Sequence, residues 1–183
     1  MSKLFIEMLD LQDYEFVNPD LYAAHYFDYV LDDKERYIKA FKYAQEKIDL
    51  LIKNQADFIL ETVNSTDKYE SLYRRCQDAG YKITVVFVCT SNPSINIKRV
   101  ERRVKEGGHD VSKDKTIERY YKSLNNLFKL AERANYLYIF DNSRDEMPAR
   151  LCVHKDEKQT TIFDNSIEWI NKYYLNKKAN NPN

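Results

Sequence analysis

An α/β fold with a mostly parallel sheet is what this sequence of 183 residues predicts. Three observations predict it. Short apolar, β-branched runs occur at 83–88 (ITVVFV), 136–140 (YLYIF) and 57–60 (DFIL), as suits strands buried on both faces. Long stretches of helical periodicity alternate with them, the pattern of helices packed on a parallel sheet. A carboxylate stands just past each of three predicted strands, at Asp20, Glu61 and Asp141. Parallel strands would put those three on one sheet edge, where ligands collect in open α/β folds.

The elements follow in order. Residues 2–11 (SKLFIEMLDL) form a short amphipathic helix with Leu4, Phe5, Met8 and Leu11 at helical spacing. Residues 15–18 (EFVN) read as a strand ended by Pro19, which forces Asn18 toward extended geometry and opens a helix. Asp20 therefore stands at a strand-to-helix junction, where it also favours the helix N-terminus electrostatically. Residues 21–31 are helical and aromatic. Asp32 and Asp33 cap a longer helix over 34–53, with an inner stripe of Tyr37, Ile38, Phe41, Ala44, Ile48, Leu51 and Ile52. The strand at 57–60 is followed by Glu61 and Thr62. Thr66 or Asp67 caps a helix to Ala79, and Gly80 closes it in the left-handed conformation.

After the strand at 83–88, Ser91 or Asn92 caps a helix over 93–106, with Pro93 in its first turn and Ile97, Val100 and Val104 buried. Arg99 and Arg103 lie one turn apart on a neighbouring face. Gly107-Gly108-His109-Asp110-Val111 is a glycine-hinged break, and the helix over 115–134 carries Arg119 off an inner stripe of Ile117, Tyr121, Leu124, Leu127, Phe128 and Ala131. Paired arginines, a hinge and a further arginine look like a lid over phosphates, because the planar guanidinium fork binds phosphate oxygens and stays charged. A solvated helix face with an ordinary loop is the competing reading. The strand at 136–140 leads to Asp141, Asn142 and Ser143. Residues 149–154 and 160–163 form a terminal hairpin, Ser166 or Asn165 caps a last helix to Leu175, and 177–183 is a frayed polar tail. No repeat or linker divides the chain, so residues 1–176 read as a single domain.

Composition narrows the function. Lys plus Arg and Asp plus Glu both number 29, so the chain lacks the charge of a general nucleic-acid binder. Lys98, Arg99, Arg102 and Arg103 remain as a local basic cluster suited to a small anion, with nucleic acid a weaker alternative. Cys76, Cys89 and Cys152 have no metal-ligand spacing and read as buried hydrophobes in a reducing, cytoplasmic compartment. No metal site, membrane span or signal peptide is expected.

Six motifs occur in a characteristic order: FVNPD (16–20), ILET (59–62), AGYKITVVFV (79–88), RVERRVKEGGHDV (99–111), IERYYKSLNNL (117–127) and FDNS (140–143). Together they resemble the zeta-toxin-like family of P-loop kinases, in its stand-alone branch. The resemblance covers residues from about 3 to about 165. It implies a three-layer P-loop-kinase-like sandwich and transfer of a phosphate from ATP, with Mg²⁺, to a hydroxyl of a small substrate such as a UDP-linked amino sugar. It implies Asp20 as the base on that hydroxyl, Glu61 and Thr62 at the substrate, and Arg103 and Arg119 as lid arginines. Arg99 and His109 would assist at the nucleotide, with Asn142 and Ser143 near its base.

One departure stands against this. Family members open with a strand and a G-x-x-x-x-G-K-[ST] loop, whose backbone N–H groups and lysine hold the phosphates. Here the glycines are Gly80, Gly107 and Gly108, and no such loop occurs. The first strand and the loop are expected to be absent, leaving an open slot to be filled by a rearranged sheet, by a missing N-terminal segment, or by a partner chain such as an antitoxin or a second copy. The chain is then an N-terminally truncated kinase, inactive as written, or a non-catalytic relative that binds a nucleotide sugar or an antitoxin.

Overall fold

The computed structural model describes residues 6–7, 10–108 and 110–180. The helix expected over 2–11 falls mostly outside the described residues, and His109 does so entirely. The chain resolves into two compact units, Met1–Val63 and Asn64–Asn183.

In the first unit, β1 (Glu15–Val17) pairs in parallel with β2 (Phe58–Leu60), in the register Glu15↔Phe58, Phe16↔Ile59 and Val17↔Leu60. A parallel pair needs a long crossover, supplied here by α1 (Pro19–Tyr26) and α2 (Asp33–Lys53). The extended backbone at Asn18 (φ −141°, ψ 107°) and the helix opened by Pro19 are as the sequence predicts, and Asn18 in addition caps α1 with its side chain. Asp32 caps α2 by accepting from the Glu35 N–H at 2.7 Å. The helix expected to reach residue 31 stops at Tyr26, and Arg36 instead donates twice to the Val30 carbonyl, at 2.8 and 2.7 Å.

The buried row of α2 is Ala40, Ala44 and Ile48, an i, i+4 series narrower than the stripe expected. Tyr37 (45 %) and Ile38 (58 %) flank that row and face solvent. Tyr43 packs edge-on against Tyr22 at 5.1 Å between ring centroids, with Tyr26 and Phe27 beside it.

In the second unit, Thr66 caps a 3₁₀ turn (Asp67–Tyr69) that runs into α3 (Glu70–Asp78). α3 ends in a Schellman motif: Gly80, at φ 84°, donates to the Gln77 carbonyl (3.0 Å), and Tyr81 donates to that of Cys76 (2.9 Å). Next come β3 (Thr84–Cys89), α4 (Pro93–Lys105), α5 (Lys113–Arg133), β4 (Tyr136–Asp141), β5 (Arg150–Lys155) and β6 (Thr160–Ile162). The last helix, α6, opens at Glu168–Ile170, widens to π geometry over Asn171–Leu175 and returns to α over Asn176–Asn180. It has no side-chain N-cap from Ser166 or Asn165, and its final turn extends into the stretch expected to fray.

The sheet order is β3-β4-β5-β6, with β3–β4 parallel and the other two pairs antiparallel. The expected C-terminal hairpin is β5–β6. The single, mostly parallel sheet is not observed: β1–β2 forms one sheet and β3–β6 another, mixed one. Strand partnering depends on long-range pairing that no local pattern encodes. The core lies between the second sheet and helices α5 and α6, around Leu124, Leu127, Leu137, Ile139, Val153 and Ile170. α5 buries Tyr120 where Tyr121 is expected; Tyr121 is 46 % exposed and Ile117 37 %. α4 buries none of its side chains, and Val104 is exposed rather than inside. Among the described residues, no helix is long and apolar enough to cross a membrane.

Candidate functional site

The predicted residues fall into two groups, one in each unit. In the first unit, Asp20 occupies the opening turn of α1 and Glu61 follows β2, so the parallel strands carry both to the same end of their sheet. Asn18 ties them together. Its Oδ1 accepts from the Asp20 N–H at 2.9 Å and the Leu21 N–H at 3.2 Å, while its Nδ2 donates to Glu61 Oε2 at 2.8 Å. The Glu61 N–H also donates to the Val17 carbonyl at 3.0 Å, extending the ladder one step past the strands. Asn18 is 9 % exposed, whereas the Asp20 and Glu61 side chains face solvent and Thr62 is half-buried beside them. The result is two carboxylates at a strand end, one fixed by a buried amide and the other carried on the helix that amide caps. Such a pair can accept a proton from a hydroxyl and hydrogen-bond a second one.

Asn18 is the residue that motif reading missed as a working part. Its signal was present: an asparagine just before a proline that opens a helix is placed to cap it.

In the second unit, the arginines stand on α4 and α5, which pack against each other and are bridged by Lys113 and Glu101 at 3.0 Å. Arg99 pairs with Asp145 at 3.1 Å and is thereby drawn toward the loop after β4. Arg103, one turn later, and Arg119, in the first half of α5, are exposed. α4 ends in a second Schellman motif. Gly107, at φ 87°, donates to the Val104 carbonyl at 3.0 Å, and Gly108 donates to that of Arg103 at 2.9 Å. The hinge read from the two glycines is thus a hydrogen-bonded helix end. Position 109 lies outside the described residues.

The ends of β3 and β4 carry a third polar set. Asp141 is buried, and its Oδ1 accepts from Trp169 Nε1 at 3.0 Å and from the Ser143 hydroxyl at 2.6 Å. The same hydroxyl accepts from the Ser91 N–H at 2.8 Å, and the Asn142 N–H donates to the Cys89 carbonyl at 2.7 Å. Asn142 and Ser143 thereby join the two strand ends. Asp141 belongs to the second sheet and not to the β1–β2 end that carries Asp20 and Glu61, which corrects the expectation of three carboxylates on one edge. Beneath this set, the Tyr120 hydroxyl donates to the Thr90 carbonyl at 2.9 Å. Burial pushes the Tyr120 phenol above its ordinary range and the Cys89 thiol up to about 12.

A small cleft in this unit also escaped the sequence. It is lined by Asn64, Thr66, Glu70, Tyr73, Asn126 and Lys129, among others. Asn64 holds φ 53°; its Oδ1 accepts from the Tyr73 hydroxyl at 3.3 Å, and its carbonyl accepts from Asn126 Nδ2 at 3.0 Å.

The donor set can be tested against the cofactors implied. Exposed guanidinium groups on α4 and α5 fit the phosphate oxygens of a nucleotide. The glycine cradle has no counterpart in the sequence, so the fit to ATP is partial. Among the described residues, no group of three or more His, Cys, Asp or Glu is placed to hold a metal ion.

The family model described as Zeta toxin matches residues 33–167. That span includes Glu61, Thr62, Arg99, Arg103, Arg119, Asn142 and Ser143, and leaves Asp20 outside it. The chain matches no curated protein and no solved structure. Family membership points to P-loop-kinase-like phosphotransfer and nucleotide binding in general. With two thirds or more of its length under that model, the chain belongs to the zeta toxin family.

Proposed function

We propose that the chain is a zeta-toxin-type kinase domain directing phosphate to a hydroxyl of a small substrate of the UDP-linked amino sugar class. The observation that carries this reading is the Asn18 bridge, which places the start of the Asp20 helix and the Glu61 carboxylate at one strand end. In this reading Asp20 takes the proton of the substrate hydroxyl, while Glu61 and Thr62 orient the sugar. Arg103 and Arg119 neutralise phosphate charge, with Arg99 assisting and Asn142 and Ser143 framing the base. ATP, when bound, would supply the phosphoryl group. Without a glycine loop, these residues alone hold a nucleotide weakly. The three-layer kinase sandwich, completed by one further strand, belongs to the same proposal.

The second reading is a non-catalytic relative that binds a nucleotide sugar or an antitoxin. Calorimetry with UDP-N-acetylglucosamine, and phosphorylation assays with and without a grafted strand and glycine loop, separate the two. The kinase reading expects turnover only in the grafted chain, falling about 10²-fold or more in Asp20→Asn. An unchanged rate in Asp20→Asn removes Asp20 from its role. Turnover by the ungrafted chain removes the inactivity claim. Sugar binding with no turnover after grafting favours the non-catalytic relative.

A further inference from the structure

The two Schellman motifs of the second unit differ at one position. In both, the residue just past the helix cap is a glycine at positive φ, Gly80 after α3 and Gly107 after α4. The next position is Tyr81 after α3 and Gly108 after α4. The backbone does not demand glycine there: Gly108 is not in the left-handed region, and Tyr81 fills the same place in the sister motif. Space does demand it. A Cβ at Gly108 would lie 2.6 Å from Cγ of Arg103, 3.2 Å from its Cδ and 3.1 Å from its carbonyl oxygen. At Gly107 and Gly80, a Cβ would meet nothing within 4 Å. The loop therefore lies directly on the stem of Arg103, and only a residue without a side chain lets it do so.

We infer that Gly108 is a positioning residue for Arg103: the loop backbone packs on the arginine's Cγ and Cδ and fixes the direction in which the guanidinium is presented to a phosphate-bearing ligand. This inference rests on the reading of Arg103 as a phosphate contact. The physical reason is entropic and steric. An exposed arginine samples many rotamers, and a backbone wall along its first methylenes removes those that point back toward the loop. A methyl group at position 108 would push Cγ out of its well, because the contact is with the base of the side chain rather than its flexible tip.

The test is titration of the full chain with inorganic tripolyphosphate by calorimetry at low ionic strength, with thermal unfolding followed in parallel. Arg103→Ala should weaken binding about tenfold or more, as expected for loss of a charge-assisted contact. Gly108→Ala should weaken it between about twofold and about tenfold, the cost of an off-rotamer stem. Gly107→Ala is the control. It strains the same loop, at φ 87°, but places nothing on Arg103, so it should lower thermal stability while leaving affinity unchanged. In the Arg103→Ala background, Gly108→Ala should have no further effect on affinity. Equal losses in the two glycine variants, or additive losses in the double variant, overturn the inference while leaving the arginine reading intact. An Arg103→Ala variant that binds like the unchanged chain, or an unchanged chain that does not bind, overturns both.

Discussion

The two units solve the problem of holding a strand end in place by different means. The second unit does it with apolar bulk: Leu124, Leu127, Leu137, Ile139, Val153 and Ile170 are all fully buried. The described residues of the first unit have little of this. Among its described residues, Val17 and Ile48 are the fully buried large aliphatics, and Ala40 and Ala44 complete the seam. Its strand end is held instead by Asn18, through hydrogen bonds of 2.8, 2.9 and 3.2 Å. A region with a thin core can still fix two carboxylates closely, provided that a buried amide satisfies both sides. The difference teaches that precision at the candidate acceptor site is polar and local, whereas at the β3–β4 end it is inherited from packing.

Core truncation should break the comparison most forcefully. Leu127→Ala is expected to cost about 3–5 kcal/mol in urea unfolding followed by Trp169 fluorescence. Ile48→Ala should cost less, about 2 kcal/mol, because a seam of alanines between exposed tyrosines can close over the gap. Equal losses would mean that the first unit is as tightly packed as the second. Asn18→Ala should cost about 1–3 kcal/mol, combining a lost helix cap with a lost donor to Glu61. Hydrogen exchange at Asp20 and Leu21 should accelerate, and unchanged protection there would dissolve the polar account.

Alkaline pH sharpens the contrast. Burial raises the thiols of Cys76, Cys89 and Cys152 and the phenols of Tyr73, Tyr120 and Tyr174, all in the second unit. Their neutral forms are favoured on folding, so the unfolded chain releases its protons first. The stability is whole below the ordinary thiol value of 9.0 and drains as pH rises through the phenol value of 10.0 toward about 12 at Cys89. The first unit has no thiol. Tyr22, raised by burial, and Lys47, raised by its hydrogen bond to Glu15, shift it in the same direction but begin nearer pH 10. Trp169, the single tryptophan, should therefore redden in emission as pH climbs from 9 to 12, before the tyrosine ellipticity of the first unit is lost. The reverse order would contradict this. The smallest effect is expected at Arg99: breaking its pair with Asp145, whose side chains are 26 % and 66 % exposed, should cost between about 0 and 1 kcal/mol.

Much of this was legible from the sequence because it is local. Asn18-Pro19, Asp32, Thr66, Asn92-Pro93 and Gly80 marked helix ends through side-chain and backbone preferences that act within four residues. The strands at β3 and β4 were equally clear from their β-branched and aromatic runs. What failed depended on distant neighbours. Periodicity could not decide between Tyr120 and Tyr121, because both fit an apolar stripe and the sheet beneath chooses one. It placed Val104 inside, but α4 buries nothing. It assumed one sheet, since strand order is written in pairings between remote segments. At the candidate site, Asp20, Glu61 and the arginines are proposed from motifs. Asn18 as a bridge and Gly108 as a wall were not, because each acts through a contact rather than through its own chemistry.

Among the described residues β3 is the terminal strand of its sheet, and its six residues, Thr84 to Cys89, contain no charge, proline or glycine. Most terminal strands are blunted by a lysine, a bulge or a kink; this one is not. Whenever the second unit opens, it releases a segment with the composition of a steric zipper. Soluble yield at high expression is therefore governed by how seldom that segment is uncovered, and a single Val86→Lys gatekeeper should suppress fibrillar precipitation on refolding more than any gain in core stability would.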